Sequence, residues 1–263
     1  MAIFLGFCFL ALVSPLLCHV HLPIDCDDVY NNGSTSSGVY TIYPVGLDAP
    51  IQVYCDMGCP ADESTFDGHW MVIQRRMNGT VNFYRPWNDY KDGFGDLEGE
   101  YWLGLENMFL ITWSAKYELK VDMEDFEHSK VYAQYSSFSV DSETNGYKLH
   151  ADGFINGGAG DSLYFHNGMN FSTFDNDQDM STYYYWYNYY NYYYYGYNNN
   201  CAELQEGGFW YQNCFTASPN GVYKWGANTE SNGVIWSTWK GNNYSLKKMV
   251  MKIKRVSLSE IEE

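Results

Sequence analysis

Basic residues are scarce in this chain. Its 263 residues carry 15 Lys and Arg against 32 Asp and Glu, a net charge of −17, so the surface repels phosphate backbones and anionic lipid, and nucleic acid is excluded as a partner. No apolar run reaches the ~20 residues a transmembrane helix needs. The uncharged apolar stretch 3–18 has the length of a signal-peptide core, although the positive leader is missing. A signal peptide over 1–18 is expected, with a signal anchor as the alternative. Catalytic signatures are absent too: there is no Gly-X-Ser-X-Gly, no His-Glu-X-X-His and no Gly-X-X-X-X-Gly-Lys-Ser/Thr. Gly157, Gly158 and Gly160 have no phosphate-binding Lys beside them, and His69, His128, His150 and His166 are scattered. The chain is expected not to be an enzyme.

What is present is aromatic, acidic and rich in turn residues. Aromatics make up 19% of the chain, with 26 Tyr and 24 Gly, which excludes a disordered chain and lacks the Leu/Ala bias of a helical bundle. Short runs of alternating apolar residues at 39–43, 51–54, 70–74 and 81–84 predict strands. The stretch 90–109 has helical spacing, and 117–125 with 131–140 predicts an antiparallel pair turning near 127–130. After Gly153 the pattern fades into Gly, Asn and Asp until a closing strand at 248–254. A loop-built C-terminal half needs disulfides or a metal to hold it.

Cleavage near Cys18 leaves Cys26, Cys55, Cys59, Cys201 and Cys214. In an oxidising compartment that odd set predicts two internal bridges and one spare thiol. Four sequons, at Asn32, Asn78, Asn170 and Asn243, agree with secretion. Residues 183–200 form a low-complexity Tyr/Asn run, read either as a slippage insertion on a surface loop or as an aromatic recognition surface. Asp175, Asp177 and Asp179 stand at i, i+2, i+4, a spacing that can converge on a hard cation, although acidic loops are commonly just solvated.

The ordered motifs Cys26-Asp27-Asp28-Val29-Tyr30, Val53-Tyr54-Cys55-Asp56-Met57, Gln74-Arg75-Arg76, Glu100-Tyr101-Trp102-Leu103-Gly104-Leu105-Glu106-Asn107, Gly157-Gly158-Ala159-Gly160-Asp161-Ser162 and Phe174-Asp175-Asn176-Asp177-Gln178-Asp179 resemble the fibrinogen C-terminal (fibrinogen-related) domain over 26–256. The resemblance implies an α+β fold: a small disulfide-bonded N-terminal subdomain, a central twisted antiparallel sheet with short helices, and a loop-rich calcium-binding C-terminal subdomain. Residues 19–25 would be a short lead-in, 183–200 an insertion and 257–263 an acidic tail.

The resemblance also implies the sites. Ca²⁺ would be held by the carboxylates of Asp177 and Asp179 and the carbonyls of Ser181 and Tyr183. The bridges would be Cys26–Cys55 and Cys201–Cys214, leaving Cys59 as an interchain candidate in a homo-oligomer. The family's acetyl-group pocket would map to Gln205, Trp210, Asn213, Phe215, Trp236 and Asn242, with Glu230 and Ser231 nearby. Phe215 stands where the family usually has His, and Gln205 where Tyr is common, so the location is kept while the ligand changes. The family also has a cis peptide at the bond corresponding to Asn213–Cys214. The expected function is that of a secreted, calcium-dependent extracellular recognition protein binding glycans or matrix components. The alternative is a structural extracellular-matrix glycoprotein without lectin activity.

Overall fold

The computed structural model describes residues 22–44, 50–58, 67–181, 184–185, 196–197, 200–228 and 230–256. In chain order the elements are α1 (Cys26–Asn31), β1 (Gly38–Ile42), β2 (Ile51–Asp56), β3 (Trp70–Arg76), α2 (Trp87–Asp92), β4 (Phe94–Gly95), β5 (Tyr101–Trp102), α3 (Leu105–Ser114), β6 (Tyr117–Glu124), β7 (Lys130–Val140) and β8 (Leu149–Gly157). There follow β9 (Tyr184–Tyr185), β10 (Gly196–Tyr197), α4 (Cys201–Gln205), β11 (Ala217–Ser218), β12 (Gly226–Ala227), β13 (Ile235–Trp236), α5 (Ser237–Lys240), β14 (Tyr244–Ser245) and β15 (Lys248–Arg255).

The sheet runs β1-β2-β3-β15-β6-β7-β8, every pairing antiparallel, with β5 joining β3 to β4. The last strand of the chain thus lies in the middle. Its alternation explains the place: Met249, Met251 and Ile253 are fully buried on one face, level with Leu119, Val121 and Met123 of β6. On the other face Lys252 stands directly opposite Lys120. Like charges so placed repel, and carboxylates offset them: Lys252 Nζ lies 2.7 Å from Asp122 and 3.1 Å from Asp56, and Lys120 pairs with Asp67. Helix α3 is tied to β7 where Val140 N donates to Thr112 Oγ1 at 3.2 Å.

Cys26 joins Cys55, fastening α1 to β2, and Cys201 joins Cys214. The bond Asn213–Cys214 is cis. Beyond β8 the ladders shrink to two-residue pairs, β11 with β13 and β12 with β14. Aromatic packing takes over there. Trp210 is fully buried, its ring centroid 5.2 Å from Phe171 and 6.0 Å from Trp102.

Three expectations need correction. Residues 81–84 form no strand, because side chains take their backbone groups: Val81 N donates to buried Glu100, which also collects Met77, Asn78 and Gly79, Tyr84 N donates to Asn82 Oδ1, and Phe83 O accepts from the Tyr90 hydroxyl. The helix in 90–109 is two helices: α2 ends at Gly93, Tyr101–Trp102 pairs as β5, and α3 begins only at Leu105, after Gly104 at φ +103°, a backbone that favours glycine. Strand β8 extends through the stretch where the pattern fades, its Gly153 standing at φ +69° with Ser136 Oγ where a Cβ would go.

Candidate functional site

The acidic loop 175–179 divides the labour among its three aspartates. Asp175 turns away: its Oδ1 accepts from Trp87 N at 2.9 Å and from Thr173 Oγ1 at 2.7 Å, anchoring the start of α2. Asp177 is exposed, and its Oδ1 accepts from Asp179 N at 3.2 Å. Asp179 reaches inward, Oδ1 accepting from Ser181 N at 2.7 Å and Oδ2 from Cys201 N at 2.8 Å. One carboxylate therefore joins the acidic loop to the first residue of α4 and to the second bridge.

Burial pushes Asp179 up to about 6, and the charge of Asp177 adds to the rise, against the two backbone donors that lower it. No Lys or Arg among the described residues forms an ion pair with either group. Two oxygen-bearing groups of one sign, unneutralised and two residues apart, fit a hard cation. Side chains alone would not complete its shell, since no group of three or more His, Cys, Asp or Glu is gathered for a metal among the described residues. Backbone carbonyls would have to supply the rest. Ser181 is in place beside Asp179; Tyr183 lies outside the described residues.

The second-bridge loop is hydrogen-bonded to the end of the acidic loop. Met180 N donates to Gln212 O at 2.9 Å, and Gln212 N to Cys214 O at 3.1 Å. Asn200 caps α4 through Glu203 N at 3.1 Å and holds the carbonyls of Thr173 and Phe174 with its amide. Of the pocket candidates, Asn213 and Asn242 are exposed and Phe215 is half-buried against the core. Gln205 is buried and its Oε1 has no hydrogen-bond partner. Trp210 and Trp236 are fully buried with their indole N–H groups on the carbonyls of Tyr147 (2.6 Å) and Gly160 (3.1 Å). They cannot line a pocket as expected, and they serve the site only as its framework.

A residue passed over in the sequence organises this loop. His166 is fully buried; its Nδ1 donates to Trp210 O at 2.7 Å, and its Nε2 accepts from Thr216 N and Ala217 N at 3.1 and 3.0 Å. Burial lowers its pKa to about 4, so the ring is neutral and can accept as well as donate. A lone His in an aromatic stretch carries no sequence signal for that role.

Asn32, Asn78 and Asn243 are exposed and Asn170 is half-buried. Residues 1–18, expected to be a signal peptide, and Cys59 lie outside the described residues, as does most of 183–200, of which β9 pairs antiparallel with β10. No helix among the described residues is long and apolar enough to cross a membrane.

Comparison with known proteins decides the kinship. The model for the fibrinogen beta and gamma chains, C-terminal globular domain, matches residues 22–256. The chain belongs to this family. It is 48% identical to microfibril-associated glycoprotein 4 of Bos taurus over 242 residues, covering 90% of this chain and 86% of that protein. Among solved structures, the fibrinogen-like globe domain of human ANGPTL2 is 39% identical with a TM-score of 0.77, over 89% of this chain and 99% of that one. Lamprey fibrin D-dimer, complexed with the peptide Gly-His-Arg-Pro-amide, is 32% identical with a TM-score of 0.75, over 89% and 75%. None of these names is that of an enzyme, and the fibrinogen-like fold is common ground; in this chain its N-terminal part carries the Cys26–Cys55 bridge.

Proposed function

We propose that this fibrinogen-related chain is a secreted, calcium-dependent recognition protein of the extracellular matrix, gripping glycans or matrix proteins with the face formed by the metal loop and the second-bridge loop. The observation that carries this reading is Asp179, whose carboxylate bonds both Ser181 N and Cys201 N while standing beside the like-charged Asp177. Ca²⁺ held by Asp177, Asp179 and the carbonyl of Ser181 would supply the positive charge that offsets their repulsion. Asp179 then fixes α4, α4 fixes Cys201, and the bridge fixes the stretch that presents Asn213 and Phe215. A homo-oligomer linked through Cys59 would multiply weak contacts.

The test is an array of glycans and matrix proteins probed in calcium and in chelator. Binding should fall on chelation and in Asp179→Ala, and binding indifferent to both contradicts the reading. Phe215 and Gln205 favour a second outcome within the same array. With no histidine or tyrosine at those positions and both tryptophans buried, matrix proteins would bind while N-acetyl sugars do not. That is the behaviour of a structural matrix glycoprotein, in keeping with the microfibrillar association in the name of a relative.

A further inference from the structure

A second concave site lies apart from the expected acetyl pocket. A cleft of about 350 Å³ opens between the segment 79–84 and the segment 221–223, walled by Tyr84, Phe83 and Tyr223, with Glu206 at its mouth. Three observations bear on what it takes. The first is the carboxylate. Glu206 follows α4 at φ +51°, a left-handed conformation unusual for a residue with a side chain. Its Oε1 accepts from Asn232 Nδ2 at 2.8 Å, and Asn232 in turn accepts from Lys224. The carboxylate is thus oriented, yet no Lys or Arg among the described residues pairs with it or with exposed Glu203.

The second observation is aromatic. Tyr84 is 37% and Phe174 38% exposed, their ring centroids 4.7 Å apart, so one cleft wall continues outward as an open aromatic surface. Burial and then the charges of Glu203 and Glu206 raise the Tyr84 hydroxyl's pKa. Tyr223 is held from behind, its hydroxyl donating to the carbonyls of Met77 and Lys247 and its ring lying under Gly79, where any Cβ would sit 2.8 Å from Tyr223 Cδ1.

The third concerns the one cation in the lining. Arg76 is fully buried, with Nη1 donating to the carbonyls of Pro219 and Gly221, Nε 3.7 Å from Glu100 Oε1, and the Phe83 ring 4.0 Å from its guanidinium carbon. Its charge is met from inside the protein. The mouth of the cleft is left with a carboxylate in no direct ion pair between aromatic faces, the Lys224 behind Asn232 being paired with Glu230, an arrangement that attracts an organic cation.

We infer that this cleft binds a lysine or arginine side chain of a partner protein, the cation lying against the Tyr84 ring with Glu206 as its counter-ion. The inference deepens the proposed recognition of matrix proteins by giving it a second anchor, and it rests on that reading only for the identity of the partner.

The test uses the whole chain and small probes, followed through the ring NMR signals of Tyr84 and Tyr223. N-acetyl-lysine methylamide should shift both rings saturably, with a Kd on the order of millimolar. The uncharged N-acetyl-norleucine methylamide should not. Glu206→Gln keeps the acceptor for Asn232 and should weaken binding roughly threefold to fivefold, whereas Glu98→Gln, an equal change of charge on an exposed residue outside the cleft, should leave it unaltered. Tyr84→Ala should abolish it. The inference is overturned if lysine and norleucine probes behave alike, if Glu98→Gln weakens binding as much as Glu206→Gln, or if the methyl glycoside of N-acetylglucosamine shifts the same rings more tightly than lysine does. Because the probes need neither the array ligands nor calcium, failure here leaves the metal-loop reading standing, and failure of the array leaves this one standing.

Discussion

The two halves of the molecule are held together by different means. Up to β8 and again in β15, backbone ladders carry the structure, and side chains need only alternate between a methionine-, leucine- and valine-lined inner face and a charged outer one. Between β8 and β15 the ladders are two residues long, and single buried polar side chains act as the brackets. His166 holds the second-bridge loop. Asn220 donates to Gly208 O at 2.8 Å and accepts from Gln74 at 3.1 Å, joining the loop half to the sheet. The contrast teaches where damage concentrates: a ladder shares its load over many bonds, while a bracket does not, because a buried polar group left unpaired costs free energy outright.

The largest effect is expected at the junction of the halves. Trp210→Ala should destabilise by ~3–5 kcal/mol, from the cavity it leaves and the Tyr147 carbonyl it strips of a donor, read as a fall in the urea midpoint. Next comes His166. Its native pKa of about 4 lies below the ordinary value of 6.5, so between those values the unfolded chain binds a proton that the native ring refuses. Its contribution is whole above pH 6.5 and is lost as the pH falls towards 4, a change of about 3 kcal/mol. Asp25, raised to about 6 by burial, acts in the opposite sense over much of that window. The comparison is therefore with His166→Gln, whose melting temperature should fall less steeply between pH 7 and pH 4.5. The sheet half should respond least: Ile253→Val on central β15 should cost about 1 kcal/mol, and a loss as large as that of Trp210→Ala would break the contrast.

The same division sets what could be read from the sequence. The strands at 51–54, 70–74, 117–125, 131–140 and 248–254 were legible because alternation is a local signal, and each lies within or overlaps an observed strand. The segment 81–84 misled because its backbone groups go to side chains, Val81 N to Glu100 some twenty positions away, Tyr84 N to Asn82 and Phe83 O to Tyr90, and no periodicity announces such partners. Helix α2 escaped notice as a separate element for a similar reason, its first N–H being met by Asp175 from the acidic loop. Both bridges followed from family resemblance, and the structure contains both. That Asp177, Asp179 and Cys201 stand together follows from the sequence through the spacing of the acidic loop and the family resemblance, and the hydrogen bonds among them are observed. The bracketing roles of His166 and of the Asn200 amide were not legible, because the partners are backbone atoms of distant residues, although the Asn200 cap on Glu203 N is local.

The carboxylate of Asp179 couples the acidic loop to the second-bridge loop, so under the proposed reading calcium should stiffen both at once. The direct measurement is thermal unfolding with amide hydrogen exchange, in millimolar calcium and in chelator, for the wild type and for Asp179→Ala. An extracellular site of Kd about 10⁻⁴ to 10⁻³ M allows on the order of 1 kcal/mol at such concentrations, or about 2–4 °C for a domain of this size. The wild type should gain that much from calcium, with slower exchange at Ser181 N and Cys201 N, and Asp179→Ala should gain nothing. Equal melting temperatures and equal exchange of the wild type in calcium and in chelator would contradict the account.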